Sequence, residues 1–179
     1  MESKIVFTGP PNAGKTTAIA ALSDTAPIVT DVANNDATLS KTRTTVGMDY
    51  GVVALGESEQ VRLYGTPGQK RFDFMWRILV RNAIGIAILI DNSQPDALAQ
   101  LREFVQSLAP ELAGAACVIG VGRTESHPAP SLDEHADVLA ELGFMFPVVP
   151  VDVRERADVL MLVELLLAQA EARGTLEDE

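Results

Sequence analysis

The chain alternates between continuous apolar runs and segments in which apolar residues recur at helical spacing. Four runs have the length of a strand, and the lack of alternation in the two at 84–91 and 116–122 is typical of strands that are covered on both faces. These runs are KIVFT (4–8), IGIAILID (84–91), ACVIGVG (116–122) and FPVVPV (146–151). We therefore expect four strands of a mostly parallel sheet, of which those at 84–91 and 116–122 are buried.

Amphipathic helices are predicted between these runs. Pro95 opens a segment in which apolar residues recur every three or four positions as far as Leu108. Ser131 and Glu134 have the spacing of a capping box at the start of another helix, and Gly143 ends that helix. Further helices are predicted over 15–23, 70–81 and 154–172.

The segment YGVVALGESEQVRLYG (50–65) predicts a β-hairpin that turns at 56–58. Residues 24–47 are polar and show no period, which predicts a long loop, and such loops are often functional. These elements predict an α/β fold of three layers. A mostly parallel six-stranded sheet with one antiparallel edge strand would carry helices on both faces, in a single domain over residues 1–179.

Composition narrows the possible partners. The 179 residues carry 14 basic and 25 acidic side chains, for a net charge of −11. Because this charge repels nucleic acid and anionic membranes, we expect neither as a partner. Cys117 is the only cysteine, which excludes a disulfide framework and fits a cytoplasmic protein. Neither a signal peptide nor a lipidation motif is visible, so we expect no intrinsic membrane anchor.

A glycine-rich turn joins the first predicted strand to the first helix. Its sequence GPPNAGKTT matches G-x-x-x-x-G-K-[ST] at Gly9, Gly14, Lys15 and Thr16. The strand–turn–helix context supports a phosphate-binding loop, because glycines let successive N–H groups point at phosphate oxygens and the helix N-terminus adds its dipole.

Two prolines modify this loop. Pro10 and Pro11 have no N–H group to donate. The phosphate donors should therefore come from the later positions of the loop, which are Asn12, Ala13, Gly14, Lys15, Thr16 and Thr17.

Two later segments resemble the switch segments of Ras-superfamily GTPases. TVGMDY (45–50) is similar to the T-[IV]-G-x-[DE]-[FY] effector segment, and GTPGQ (65–69) is similar to the D-[TX]-[AP]-G-Q segment. The resemblance extends over nearly the whole chain, from Lys4 to the last helix. It points to a bacterial Ras-like small GTPase of the kind associated with roadblock-type regulators and related to gliding-motility GTPases.

The resemblance implies GTP or GDP as the ligand and Mg²⁺ as the cofactor. Lys15 would then contact the β- and γ-phosphates, and Thr16 and Thr45 would hold the metal ion. Thr44 is the alternative ligand if the register shifts by one residue. Gly68 would donate its N–H group to the γ-phosphate.

Two further side chains are candidates for a role in hydrolysis. By the same resemblance, Gln69 would orient the attacking water. Arg43 lies two residues before Thr45 and is a candidate for a cis arginine that stabilises the transferring phosphate, as in G-protein α subunits. The alternative is a solvated arginine on a polar loop.

Gly65 departs from the family pattern, because an aspartate normally stands there and holds Mg²⁺ through a water. Loss of such an outer group typically costs ~10–100-fold in metal affinity or activity, so we expect weakened rather than abolished binding. Asp91, at the end of a neighbouring strand, is one candidate for a replacement carboxylate. Its alternative role is that of a turn residue.

The base-recognition segment also departs from the pattern. GRTE (122–125) stands where the family has N-K-x-D. Glu125 keeps a carboxylate for the guanine N1 and N2 groups, and the stem of Arg123 keeps apolar packing for the base. Both residues could also be plain surface charges, and the preference for GTP over ATP rests on the switch segments.

The remaining candidates concern surfaces. Three aromatic residues, Phe72, Phe74 and Trp76, cannot all face one side of a helix, so some should be exposed to a partner. The apolar last helix is either deeply buried or a homodimer interface. His127 and His135 are predicted to be solvated and to bind no metal.

We therefore expect a GTP-binding switch that hydrolyses GTP slowly with Mg²⁺. Protein effectors, and a roadblock-type regulator, would read or control its state. The alternatives are a nucleotide-binding scaffold without hydrolysis and an ATP-dependent P-loop ATPase or kinase.

Overall fold

The computed structural model of the protein describes residues 3–24, 28–32, 46–55 and 59–174. Within these ranges the strands are β1 Ser3–Thr8, β2 Ile28–Val32, β3 Val46–Leu55, β4 Glu59–Gly65, β5 Gly85–Asp91, β6 Ala116–Gly122 and β7 Val148–Val151. The helices are α1 Lys15–Leu22, α2 Asp73–Val80, α3 Ala97–Leu112, α4 Leu132–Glu141 and α5 Arg156–Ala172, and a 3-10 turn, Lys70–Phe72, precedes α2.

All strands of the described ranges form one sheet in the order β2-β3-β4-β1-β5-β6-β7. β4, β1, β5, β6 and β7 pair in parallel, whereas β3 is antiparallel to both of its neighbours. The predicted α/β class, the parallel core and the antiparallel β3–β4 hairpin are confirmed.

One strand was missed by the sequence prediction. β2 lies inside the segment that we expected to be a loop, and it pairs with β3 from Ile28↔Tyr50 to Val32↔Val46. It makes β3 an inner strand and adds a seventh strand to the sheet within the described ranges. Its sequence IVTDV neither alternates strictly nor forms a continuous apolar run, so the backbone pairing with β3, rather than local pattern, accounts for this strand.

Both faces of the sheet carry a hydrophobic core. Along β5, Ala87 and Leu89 point to the core under α1 and α5, while Ile86, Ile88 and Ile90 point to the core under α2, α3 and α4. Every residue of β5 is buried, as its continuous apolar sequence predicts. Because β1, β5 and β6 are parallel, the loops that follow them meet at one edge of the sheet.

Two helices show how local sequence sets their ends and faces. In α4, Ser131 Oγ accepts from the Glu134 N–H group and Glu134 Oε2 accepts from the Ser131 N–H group, which confirms the capping box. His135 is fully buried, so the prediction of a solvated side chain was wrong. It shares the inner face of α4 with Val138 and Leu139, and its Nδ1 lies 2.8 Å from Ser131 O.

The last helix is anchored in the core. Its buried residues are Val159, Leu162, Val163, Leu166 and Ala170. Burial against the sheet thus explains its apolar sequence without a second copy of the chain. None of the helices in the described ranges combines the length and the hydropathy that crossing a membrane would require.

Candidate nucleotide site

The loop between β1 and α1 is shaped by residues with positive φ. Gly9, Asn12 and Gly14 have φ values of 142°, 62° and 98°. A Cβ atom at Gly9 would collide with the carbonyl oxygen of Leu89, and one at Gly14 would lie 2.7 Å from Val153 Cγ2. Glycine is therefore required at both positions, because the loop lies directly against β5 and the segment after β7.

Lys15 lies beneath this loop as the first residue of α1. Lys15 is only 7% exposed, and its Nζ donates to Gly9 O at 2.8 Å and to Pro10 O at 2.6 Å. Burial lowers the pKa of Lys15 to about 8, although the nearby charge of Asp49 acts in the opposite direction. An ammonium group has three donors, so two fix its position and one remains for an anion.

A carboxylate reaches the loop from the neighbouring strand β3. Thr16 Oγ1 donates to Asp49 Oδ2 at 2.5 Å, and Asp49 is 8% exposed. Asp49 pairs with Gly65 in the β3–β4 register. A Cβ atom at Gly65 would lie 3.0 Å from Asp49 Cβ and 3.1 Å from Asp49 Oδ2. The space beside Gly65 is thus filled by the carboxylate of Asp49.

Asp91, the replacement carboxylate suggested by the sequence, has different contacts. Its Oδ1 accepts from the N–H and hydroxyl groups of Ser93 at 2.9 and 2.6 Å, and its Oδ2 lies 3.3 Å from Arg123 Nε. Although burial alone would raise its pKa, these contacts with Ser93 and Arg123 hold the pKa of Asp91 below the usual value. Asp91 therefore serves the turn after β5, as its alternative interpretation predicted.

The turn after β4 is fixed to the phosphate loop. The Thr66 N–H group donates to Phe7 O at 2.9 Å, and the Thr66 and Thr8 hydroxyls are 2.8 Å apart in the interior. A Cβ atom at Gly68 would lie 2.5 Å from Pro11 N, so only glycine allows this approach. Gln69, the next residue, is exposed.

Trp76 holds the same turn from α2. Its indole Nε1 donates to Pro67 O at 2.6 Å, and its ring stacks on Phe104 with centroids 4.2 Å apart. The side chain is 1% exposed. The sequence marked Trp76 only as an aromatic residue, because nothing local shows which carbonyl its N–H group meets. The turn that carries Gly68 and Gln69 is thereby joined to α2 and α3.

A cavity of about 1,210 Å³ extends from the loop to the segments after β6 and β7. Nine residues singled out in the sequence line it: Asn12, Ala13, Gly14, Lys15, Thr16, Thr17, Asp91, Arg123 and Glu125. Gly9 lies at the base of the loop, and Gly68 and Gln69 are in the turn against Pro11 rather than in the lining. Arg43, Thr44 and Thr45 lie outside the described residues.

Four carboxylates line the far end of this cavity, and their partners differ. Asp91 is engaged as above, and Asp158 Oδ2 accepts from the Asp152 N–H group at 2.8 Å. Asp152 accepts three bonds from Arg154, which lower its pKa to about 2. Glu125 alone forms no hydrogen bond or ion pair with the described part of the chain and interacts only through its charge with Arg154, so its oxygens are available to a ligand.

Asn92 positions the loop that carries Glu125. Its Nδ2 donates to His127 O at 2.6 Å and to Pro130 O at 2.9 Å, and the residue is 2% exposed. Sequence reasoning missed it, although a polar residue directly after a buried strand was an available signal. No three His, Cys, Asp or Glu side chains of the described ranges group closely enough to hold a metal by themselves.

We predict that Trp76→Phe loosens the turn after β4. The substitution keeps the ring in the core but removes the donor to Pro67 O, and a lost buried hydrogen bond costs ~1–3 kcal/mol. Urea unfolding should show this loss, and hydrogen exchange should rise at residues 66–69. Phe104→Leu, which disturbs the same stack without touching the bond, is the control. Equal exchange at 66–69 in both variants would contradict the role given to the indole.

Comparisons with known proteins agree with this geometry. No curated protein sequence matches the chain significantly. Among solved structures, the chain is similar to the Arl6 (BBS3) small GTPase from Trypanosoma brucei with a bound nucleotide analogue, GppNp. The TM-score is 0.68 at 17% identity, over 97% of this chain and 99% of that chain, which shows a shared fold.

A match to a family model shows family membership in addition to the shared fold. Residues 4–121, more than half of the chain, match the model described as 50S ribosome-binding GTPase. The matched range includes the phosphate loop, the hairpin and the turn that follows it. The chain therefore belongs to this family of P-loop GTPases.

Proposed function

We propose that this GTPase domain is a switch that binds GTP and Mg²⁺, hydrolyses GTP slowly and is read by protein partners. One observation carries the proposal: a single cavity joins the phosphate loop to the loop of Arg123 and Glu125. Phosphates would meet the N–H groups of the loop, the N-terminus of α1 and the ammonium of Lys15. The base would lie at the other end, next to Glu125.

The donor set beside the loop fits Mg²⁺. Thr16 and Asp49 bring a hydroxyl and a carboxylate together at the start of α1, and Mg²⁺ prefers oxygen ligands while keeping several waters and nucleotide phosphate oxygens. We propose that Asp49 takes the place of the aspartate missing at position 65, and that Thr45 completes the site. When bound, the ion would neutralise charge on the phosphates.

Hydrolysis would depend on the turn after β4. We propose that Gly68 donates its N–H group to the terminal phosphate and that Gln69 orients water, because their turn is fixed against Pro11 and by Trp76. Arg43 is proposed to stabilise the transferring charge. An activating partner fits a site in which Gln69 is exposed and must be aligned.

A regulator of the roadblock type, a role in polarity or motility control and a cytoplasmic location remain proposals that rest on the family resemblance. We do not extend ribosome binding, which the family's description names, to this chain. A net charge of −11 disfavours contact with RNA.

We predict that the purified protein releases guanine nucleotide on denaturation and converts bound GTP to GDP in a single turnover with Mg²⁺. Gln69→Leu and Arg43→Ala should each slow this turnover, on the order of tenfold or more, at unchanged nucleotide affinity. Gln106→Leu, an exposed glutamine on α3, is the control. GTP that persists unhydrolysed would favour the scaffold, and released adenine nucleotide would favour an ATPase or kinase.

We predict that Asp49→Asn weakens Mg²⁺ binding to the GDP complex by about 10–100-fold, which is typical for loss of an outer-shell group. Gly65→Asp alone should also weaken Mg²⁺ binding, because two carboxylates would crowd one space. The exchange variant Asp49→Gly/Gly65→Asp should recover part of the affinity. The Mg²⁺ affinity of each variant is measured from the Mg²⁺-dependent release of a fluorescent GDP analogue.

Asp133→Asn, an exposed carboxylate on α4, is the control for this series. Mg²⁺ affinity that Asp49→Asn leaves unchanged would contradict the proposed role of Asp49. An exchange variant that folds but binds Mg²⁺ no better than Asp49→Asn would contradict the shared position of the two carboxylates.

We predict that GDP binding takes up a proton in mildly alkaline solution. Burial lowers the pKa of Lys15 to about 8 in the free protein, and the phosphates of GDP would raise it again. Affinity should thus be constant well below pH 8 and fall as pH rises above it, by about tenfold per pH unit at most. Calorimetry in two buffers of different ionisation enthalpy at pH 8.5 should show uptake of most of one proton. Absence of uptake there would contradict this account.

We predict that Glu125→Gln reduces the preference for GTP over ATP by about tenfold or more. The carboxylate accepts from the N1 and N2 groups of guanine, whereas an amide nitrogen placed there would face those donors. Glu155→Gln, an exposed glutamate outside the cavity lining, is the control. Competition of both nucleotides against a fluorescent GDP analogue gives the ratio, and an unchanged ratio would assign base selection to another group.

A further inference from the structure

Exposed apolar side chains are concentrated on α2. Among the described residues, three large apolar side chains are exposed: Phe74 at 58%, Ile78 at 62% and Met145 at 95%. Phe74 and Ile78 are four positions apart and therefore lie one above the other on the same face of α2. Single exposed apolar residues are ordinary, but an adjacent pair beside a functional turn is a candidate contact surface.

The opposite face of α2 explains why this pair faces outward. Trp76 and Val80 are buried in the core under α2 and α3, and Trp76 is further fixed by its bond to Pro67 O. A rotation of the helix that buried Phe74 would withdraw Trp76 from Phe104 and break that bond. The outward direction of the pair is thus enforced by the core.

Two arginines flank α2 at its ends. Arg71 lies in the 3-10 turn, three residues before Phe74, and Arg81 is the first residue after the helix, three residues after Ile78. We call Arg71, Phe74, Ile78 and Arg81 the α2 stripe. All four are exposed.

The other two basic residues of this segment already have partners on α3. Lys70 Nζ lies 2.5 Å from Glu103 Oε1, and Arg77 Nε donates to Ser107 O at 3.3 Å. In contrast, neither Arg71 nor Arg81 has a carboxylate partner within the ranges that the structure describes. The Arg71 guanidinium lies 5.0 Å from the centre of the Phe72 ring. A chain with a net charge of −11 therefore presents two uncompensated positive charges beside two exposed apolar groups.

We propose that the α2 stripe is the docking surface for an acidic amphipathic helix of a partner protein. Such a helix would bury two apolar side chains against Phe74 and Ile78. Its carboxylates would pair with Arg71 and Arg81, and arginine and aromatic residues commonly dominate binding energy in this way.

This inference rests on the proposed function, since it names the kind of partner that the switch would engage. The bond from Trp76 to Pro67 joins the α2 stripe to the turn that carries Gly68 and Gln69. Any movement of that turn with the state of the nucleotide would therefore be transmitted to the stripe.

Other occupants fit the stripe less well. RNA would meet the arginines but leave Phe74 and Ile78 in contact with water. The net charge repels an extended polyanion, such as RNA or an anionic membrane, more strongly than a short helix with two carboxylates. A second copy could offer the acidic groove between α3 and α4, which Glu103, Glu134, Asp137 and Glu141 line. That contact would be head-to-tail and would lead to a ring or an open-ended assembly rather than a closed dimer.

The test is selection from a phage-displayed library of random peptides about 16 residues long, enough for about 24 Å of helix. Full-length protein is used as purified and, in parallel, after loading with a non-hydrolysable GTP analogue. Selected peptides should combine two apolar residues with flanking carboxylates. Their affinity, measured by fluorescence anisotropy, should fall at least about tenfold on Phe74→Ala/Ile78→Ala and on Arg71→Glu/Arg81→Glu, the loss of roughly one strong contact.

Matched variants test the position of the site. Met145→Ala removes the third exposed apolar side chain. Arg102→Ala removes a half-buried arginine that already pairs with Glu141. Both should bind the selected peptides like the unmodified protein. Circular dichroism confirms that each variant folds.

Several outcomes would overturn the proposal. It fails if the library yields no enrichment over a blank surface, if the selected peptides lack carboxylates, or if the stripe variants retain the affinity of the unmodified protein. A short RNA that displaces the peptide, or concentration-dependent self-association that the stripe variants abolish, would equally overturn it. Because the stripe variants should keep the unassisted rate of GTP hydrolysis, a failure here is separable from a failure of the proposed function. If the peptides bind but the protein neither binds nor hydrolyses GTP, the proposed docking surface stands and the proposed switch is refuted.

Discussion

The hydrogen bond from Thr16 to Asp49 ties the parts of this site together. It joins the first turn of α1, which carries the phosphate loop, to β3, and it exists because β3 and β4 pair with Asp49 opposite Gly65. The absence of a side chain at Gly65 leaves room for the carboxylate from the adjacent strand. We propose that this carboxylate on β3 takes the role of the aspartate that the family pattern has on β4.

The other constraints on the site are close backbone approaches. Gly9 and Gly14 hold the loop against β5 and the segment after β7, and Gly68 brings the turn after β4 onto Pro11. Each approach excludes a Cβ atom, so small movements of one segment must displace its neighbour. Trp76 extends this chain of contacts into α2. The turn that would sense a terminal phosphate is therefore connected through Trp76 to the exposed face of α2.

Local signals in the sequence predicted the phosphate loop, the buried strands, the hairpin and the capping box at Ser131, because each depends on residues close together along the chain. They did not predict β2, which depends on pairing, or the contact of Asp49, which depends on strand register. The bond from Trp76 to Pro67 and the two bonds from Asn92 were missed for a related reason: each joins segments that only the folded chain brings together.

The position of the metal ion decides whether Asp49 has the proposed role. A crystal structure with a non-hydrolysable GTP analogue and Mn²⁺, located by its anomalous scattering, tests this directly. We expect the ion next to Thr16 Oγ1, with the Asp49 carboxylate bound to it through a coordinated water. An ion beside a different carboxylate, such as Asp91, with Asp49 still bonded only to Thr16, would contradict the central claim.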